Sequence, residues 1–303
     1  MKVCWAVPVR DKARTLPRTI ASVLGQVCEP LEIIFSDQGS TDESLAIMRD
    51  FARRYDGKHK LRILECPETN FRGMPGLNDH INWIHNQTDA DIFISSAADD
   101  MPLVDRAEKT IQAFRDNDPS MVVTAMFFMD EDDSKNVGLA YGGQTGWPTE
   151  DGWVKYQEVY DRAVGGSTTQ SWTRAFYERI GGLQGVGSPD MVMPFLACLD
   201  KGCWYINKPL HCYVKISDVN NTGLEGVMRA TTDEVELLKL EELCHMQCTA
   251  GIFTAAAKMH DMGIGNIEAT NSLVSAIVDR AASWQKVRQR MAMERVQPMV
   301  FRT

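Results

Sequence analysis

Apolar and polar positions follow a repeating form through the first hundred residues: a short apolar run, a polar loop, then an amphipathic stretch. The runs are Val3–Pro8 (VCWAVP), Leu31–Phe35 (LEIIF), Leu61–Cys66 and Ile92–Ser96 (IFISS). Each has the length and composition of a buried strand. Helical spacing follows the first three. It predicts helices from about Leu16 to Gln26, from about Glu43 to Tyr55 (core side Leu45, Ala46, Met48 and Phe51), and another after Asn78. Strand, polar loop, helix, repeated, is the sequence form of parallel βαβ units. An α/β fold follows, with ligands expected beyond the carboxyl ends of the strands.

Chemistry collects at those ends. The fourth run breaks into Ala97–Ala98–Asp99–Asp100 before Pro102, the second delivers Asp37 into a Gly39–Ser40–Thr41–Asp42 turn, and the third leads to Asn70 through Asn78. Two adjacent carboxylates closing a buried strand need a cation or another partner, because unpaired buried charge is costly. A hard cation such as Mg²⁺ or Mn²⁺ takes oxygen ligands, and a bound diphosphate can complete its coordination. A solvated Asp-Asp turn capping the next helix is the plain alternative. The shared placement of Asp37, the Arg72–Asn78 loop and Asp99–Asp100 favours a site.

The second half is strand-like over Met121–Met129, with an acidic turn at Asp130–Asp133. The glycines and aromatics of Tyr141–Trp153 suit either an acceptor lid or a surface connection. Gly165–Trp172 reads as a loop entering a strand. A helix over Thr173–Ile180, a Gly181–Gly182–Leu183 stop, a glycine-rich approach at Gly185–Ser188 and a helix over Met191–Lys201 follow. His211, inside the strand pattern of Leu210–Ile216, reads as a packed or hydrogen-bonded strand residue. After Gly226 the pattern is helical, from Thr232 to about His260 and from about Glu268 to Glu294. The stripe Leu237, Leu240, Leu243 and Cys244 suggests helix packing or homo-oligomerisation.

In order and wording, Val3 to Asn221 resembles the family 2 glycosyltransferases of GT-A fold, which move a sugar from a nucleotide diphosphate to an acceptor. Pro8–Val9–Arg10–Asp11 stands for the family's P-V-x-N loop, Ala21–Gln26 for its ES-x-L-x-Q segment, and Asp37–Asp42 for D-D-G-S-T-D. Asn70 through Asn78 matches N-x-G-x-x-x-A-x-N, and Ala97–Asp100 matches D-x-D-D. The resemblance implies a Rossmann-like mixed sheet flanked by helices, with a C-terminal helical appendage. Residues 1–102 would form the nucleotide-sugar half, 103–225 the acceptor half of the same domain, and 226–303 the extension.

The resemblance also implies roles. Asp37 would accept a hydrogen bond from the base, a pyrimidine N3–H, so that the donor is a UDP- or dTDP-sugar. Pro8, Val9 and Arg10 would flank the nucleoside, and Arg72–Gly73 would pass near the base or diphosphate. Lys12, Gly39, Asn70, Asn78, Ala98, Asp99 and Asp100 complete the expected donor contacts, with Asp99 and Asp100 holding Mn²⁺ or Mg²⁺. Asp190 falls at the second acidic position of the family's G-G-F…E-D segment. It would take the proton from the acceptor hydroxyl as that oxygen attacks the anomeric carbon with inversion. Its plain alternative is an acidic residue favoured at a helix N-terminus. Three positions depart from the pattern: Ala97 replaces the first D-x-D carboxylate, Pro189 the first acidic residue before Asp190, and Ser217 a histidine able to ligate metal.

Composition narrows the setting. The 303-residue chain carries a net charge of −9, which opposes broad binding to nucleic acid or anionic membrane. The basic loop of Arg10, Lys12, Arg14 and Arg18 is a local exception, suited either to phosphates or to a solvated face. Eight cysteines lie scattered without a disulfide framework or zinc spacing, and no apolar run nears membrane-spanning length, so a cytoplasmic setting is expected. Two rival readings stand beside the transferase. A nucleotidyltransferase needs a glycine-rich phosphate loop after the first strand, and Pro8–Arg14 holds no glycine. A catalytically degenerate protein that binds nucleotide or glycan without turnover is allowed by Ala97.

Overall fold

The computed structural model describes residues 1–67, 73–130, 136–140, 150–156, 159, 167–183, 189–215 and 250–275. The first three strands, β1 (Val3–Val9), β2 (Glu32–Asp37) and β3 (Lys60–Glu65), pair in parallel in the order β3-β2-β1, and β4 (Ile92–Ser95) joins β1 in parallel on its other side. Helices α1 (Leu16–Leu24), α2 (Ser44–Arg54) and α3 (Gly73–His85) connect them. This is the predicted βαβ half. Helices α1 and α2 differ from the expected bounds by a residue or two, where helix ends fray. Helix α3 begins at Gly73, six residues before the expected start after Asn78, so part of the expected loop is helix.

The sheet continues without a break. Beyond β4 come β9 (Gln170–Thr173), β6 (Met121–Asp130), β10 (Cys203–Lys215) and the short β5 (Met101–Pro102), while β7 (Asn136–Ala140) pairs with β6 and β8 (Gly152–Trp153) with β10. The β4–β9 and β6–β9 pairings are antiparallel and β6–β10 is parallel, so the sheet is mixed, as expected. Helix α4 (Arg106–Asn117) leads into β6, and α5 (Arg174–Arg179) follows β9. The Thr173 hydroxyl caps α5 by accepting from the Phe176 N–H at 3.2 Å. Helix α6 (Pro189–Leu199) precedes β10. Two further helices, α7 (250–261) and α8 (267–275), belong to the C-terminal region.

Two hydrophobic layers sandwich the sheet. Val3, Trp5, Val7 and Val9 of β1 turn to the face covered by α1, α2 and α4, where Leu16, Ile20, Val23, Met48, Ile111 and Phe114 pack. Cys4 and Ala6 turn to the opposite face, against Ile84 of α3, Phe176 of α5 and Val192, Phe195 and Leu196 of α6. Burial on both faces is why the central strands read as continuous apolar runs. Helix α1 shows the complementary spacing, burying Leu16, Thr19, Ile20 and Val23.

The C-terminal helices share that second layer through Ile252, Ala255, Met259, Ala269 and Leu273. Lys258 of α7 donates to the carbonyls of Ile180 and Gly182 beyond α5. Residues 250–275 of the C-terminal region thus pack on the α/β sheet domain. The Leu237–Cys244 stripe that suggests oligomerisation lies outside the described residues, as do Ser217 and residues 141–149 of the candidate lid.

Candidate active site

The carboxyl ends of β1, β2 and β4 carry three loops that are bonded to one another. Asp37 closes β2 opposite Val9 of β1 and is 4% exposed. Its Oδ2 accepts from the backbone N–H groups of Gly39 and Ser40 at 3.0 and 3.1 Å, while its buried Oδ1 has no hydrogen-bond partner. Gly39 adopts φ +70°, a left-handed conformation that suits glycine and folds the two amides back onto the carboxylate. A buried carboxylate oxygen with spare accepting capacity can take a donor that is not part of the chain, a water or a ligand group.

The β1 loop is locked to this turn. Asp11 takes a left-handed φ of 49°, a region where Asn and Asp are enriched. Its N–H donates to Ser40 Oγ at 3.0 Å, and its Oδ1 accepts from the Thr41 N–H at 2.6 Å. The Lys12 N–H donates to Ser44 Oγ and the Ala13 N–H to Asp42 Oδ2, at 2.8 and 2.9 Å. The motif match places Asp11 in the loop but gives it no role. Its signal is the Asp standing where the family keeps Asn, both being residues that tolerate this backbone.

Lys12 then reaches across to the third loop. Its ammonium lies 2.6 Å from Asp99 Oδ2, with both side chains 15% exposed. Burial pushes the Asp99 carboxyl above its usual range, and the Lys12 charge pulls it back. Arg18 of α1 donates to the Asp99 carbonyl at 3.4 Å, and Thr19 Oγ1 donates to the Ala98 and Asp100 carbonyls at 3.0 and 2.8 Å. Lys12 and Asp99 therefore form a charged pair at the mouth of the strands, beside Asp37 and the β1 loop.

Several expected site residues sit elsewhere. Asp100 faces inward and is 1% exposed: Oδ2 is 2.9 Å from His211 Nε2, and Oδ1 accepts from the Val214 N–H at 3.0 Å. With both oxygens engaged inside the protein, Asp100 is corrected from a metal ligand to a buried structural carboxylate. Val9 is corrected too. Its side chain packs in the core and its carbonyl accepts from the Gln38 N–H, leaving Pro8 and Arg10 to border the site. Ala98 buries its methyl in the same core and spends its carbonyl on Thr15 and Thr19. Asn78 is buried within α3, and Gly73 opens that helix. Asn70 and Arg72 lie outside the described residues.

Asp190 occupies the first turn of α6, partly exposed. Gln170 Nε2 donates to its carbonyl at 3.1 Å. Gln170 begins β9, which runs antiparallel to β4 with Ser171 opposite Ile94, so the start of α6 is fastened at the carboxyl end of β4. Donor-side and acceptor-side candidates thus share one edge of the sheet.

The fit to a divalent cation is partial. Among the described residues no three His, Cys, Asp or Glu side chains cluster to hold a metal ion. Asp99 remains as a single carboxylate at the mouth, which fits the way Mg²⁺ binds through one or two carboxylates plus substrate phosphates.

A mixed sheet with helices on both faces, whose parallel strands end at a mouth that carries Asp37 and Asp99, has the architecture of the GT-A fold. The family model for glycosyl transferase family 2 matches residues 4–162, and the chain belongs to that family. It is a glycosyltransferase of the kind that uses nucleotide sugars. Comparison with curated protein sequences gave no match. Among solved structures, S. aureus TarS residues 1–349 in complex with UDP-GlcNAc is similar at 14% identity and TM-score 0.57, over 92% of this chain and 80% of that one. The mannosyltransferase PcManGT from Pyrobaculum calidifontis, in complex with GDP-Man and Mn²⁺, is similar at 17% identity and TM-score 0.52, over 96% and 83%. GalNAc-T7 with UDP, GalNAc and Mn²⁺ is similar at 12% identity and TM-score 0.58, over 87% and 54%.

Proposed function

We propose that this protein transfers a sugar from a UDP- or dTDP-sugar to an acceptor hydroxyl with inversion at the anomeric carbon. The observation that carries the donor assignment is Asp37: a buried carboxylate with one oxygen tied to two amides and the other lacking a hydrogen-bond partner. A pyrimidine N3–H is the donor that this oxygen suits, with Pro8 and Arg10 bordering the nucleoside. Lys12 meets the diphosphate side, where its charge offsets the negative charge that grows on the leaving group. Asp99 would hold a divalent cation, Mn²⁺ or Mg²⁺, which supplies further charge neutralisation to the diphosphate.

Asp190 acts as general base. The acceptor O–H proton passes to its carboxylate as the oxygen bonds to the anomeric carbon and the bond to the diphosphate oxygen breaks. The link from its carbonyl to Gln170, at the carboxyl end of β4 where the donor loops also emerge, supports this role. The six described cysteines are all free thiols, which suits a cytoplasmic setting. No helix among the described residues is long and apolar enough to cross a membrane.

A screen of nucleotide sugars for thermal stabilisation, with and without Mn²⁺, tests this reading, because a ligand that binds the folded state raises its stability. UDP- or dTDP-sugars should raise the melting temperature more than GDP- or CMP-sugars, and the rise should grow with Mn²⁺. Stabilisation without transfer to any hydroxyl acceptor would favour the degenerate binding protein that Ala97 leaves open.

A further inference from the structure

The buried carboxylate behind Asp99 belongs to a hydrogen-bonded chain that joins α4 to β10. Arg106 of α4, 0% exposed, donates from Nη2 to the Ser95 carbonyl at 2.8 Å, and its guanidinium lies 5.1 Å from the centre of the Trp5 ring. Its Nη1 is 2.8 Å from His211 Nδ1, and His211 Nε2 is 2.9 Å from Asp100 Oδ2. A guanidinium can only donate, so Nδ1 must accept. The imidazole proton therefore sits on Nε2 and points at Asp100. That carboxylate also receives the Val214 N–H and so meets only donors. The direction of both bonds is set: Arg106 donates to His211 Nδ1, and His211 Nε2–H donates to Asp100.

The relay has a second use for its geometry. Residues 98–100 are gripped from the α1 side through their carbonyls, by Thr15, Arg18 and Thr19. From the other side the Asp100 side chain is held by His211 and Val214 of β10, with Thr168 beside it, just where β10 pairs with β5, His211 opposite Pro102. We propose that Arg106 and His211 are positioning residues for the Asp99 carboxylate, acting through Asp100 as a donor–acceptor relay that fixes its turn between α1 and β10. This rests on the donor reading above, in which Asp99 meets the cation and diphosphate. Neither Arg106 nor His211 touches the substrate. Losing such outer support commonly costs about 10–100-fold in metal affinity.

The test is calorimetric titration of UDP in the presence and absence of Mn²⁺, on wild type, His211→Leu and His211→Gln, each checked for a cooperative melt. An amide can accept from Arg106 and donate to Asp100, so His211→Gln should keep Mn²⁺-dependent UDP affinity close to wild type. His211→Leu should lose about tenfold of the Mn²⁺-dependent part while metal-free UDP affinity, set by Asp37, changes little. Equal behaviour of the two variants, or loss of metal-free affinity to the same degree, would overturn the positioning role.

Should His211→Leu fail to fold, Asp100→Asn, Arg106→Met and their combination decide by thermal melting. Asp100→Asn sets an amide N–H against the His211 Nε2–H, and Arg106→Met leaves His211 Nδ1 without its donor. In the pair, by contrast, the imidazole proton can move to Nδ1 and Nε2 can accept from the new amide. The double variant should melt above the lower-melting single variant, by a clear positive coupling. Additive losses would contradict the relay. If wild type binds neither UDP nor dTDP under any metal condition, the donor reading fails and the positioning role with it. The melting series still reports on the relay.

Discussion

Asp99 and Asp100 are neighbours in sequence, yet they belong to two regions governed by different rules. Asp99 sits at the edge of the sheet with Asp37 and Lys12, where charged groups are partly exposed or keep an unused hydrogen-bonding position. Asp100 lies one residue further, sealed with His211 and Arg106, and both its oxygens are engaged. Burial pushes its pKa up to about 7, against the pull of the Val214 N–H and the Arg106 charge. The edge retains capacity for a ligand, and the interior has used that capacity to join α4 to β10. Residue type alone does not separate a site from a scaffold; the state of each polar atom does.

If that division is right, substitutions at the edge should cost turnover and binding, and changes in the interior should cost stability. The largest effect is expected at Asp190. Asp190→Asn should leave UDP affinity nearly intact and lower kcat for transfer by roughly a hundredfold or more, the scale of a positioned acid–base group. Transfer at the wild-type rate by the folded variant would remove Asp190 from the base role. Asp99→Asn comes next. It should weaken Mn²⁺-dependent UDP binding by roughly tenfold through loss of an anionic oxygen ligand. Unchanged affinity and unchanged metal dependence in titration would detach Asp99 from the cation.

Smaller effects sharpen the contrast. Gly39→Ala asks a side chain to adopt the left-handed φ of +70°, at a cost of roughly 1–2 kcal/mol in urea unfolding. Because the Gly39 amide holds Asp37, UDP affinity should fall with it; stability lost with affinity unchanged would separate the turn from the site. The interior answers to pH. Burial depresses the His80 pKa to about 4 and, with the Arg174 charge, that of His85 to about 3, whereas both titrate near 6.5 in the unfolded chain. The unfolded chain therefore takes up protons first. The stability of the neutral rings is complete above pH 6.5 and declines as pH falls towards 3. His85, stacked between Phe93 and Tyr177, is the better probe. Replacing it with Phe should flatten the fall in melting temperature between pH 7 and 5, and an unaltered slope would assign that fall to other groups.

The parallel half was legible because its strands are buried on both faces and its helices on one, so local pattern carries the answer. The insertion of β9 between β4 and β6 was not, since it pairs Ile94 with Ser171 and Val122 with that same residue across long stretches of chain. The same gap hid the relay: the pattern marks His211 as a bonded strand residue, but no local signal ties it to Asp100 or Arg106. Motif order located Asp37 and Asp99. It could not tell that Val9 and Ala98 turn their side chains inward, because the motif marks a loop and not the facing of each residue within it.

The central claim is that the mouth of β1, β2 and β4 binds a pyrimidine nucleotide through Asp37. Its most direct test is calorimetric titration of UDP and of pyrophosphate, each with Mn²⁺, into wild type and Asp37→Ala. UDP affinity should fall roughly thirtyfold, corresponding to about 2 kcal/mol for a hydrogen bond to a charged acceptor, while pyrophosphate affinity stays within about twofold. Equal losses for the two ligands would place Asp37 in support of the fold or the phosphates, and unchanged UDP affinity would contradict the site itself.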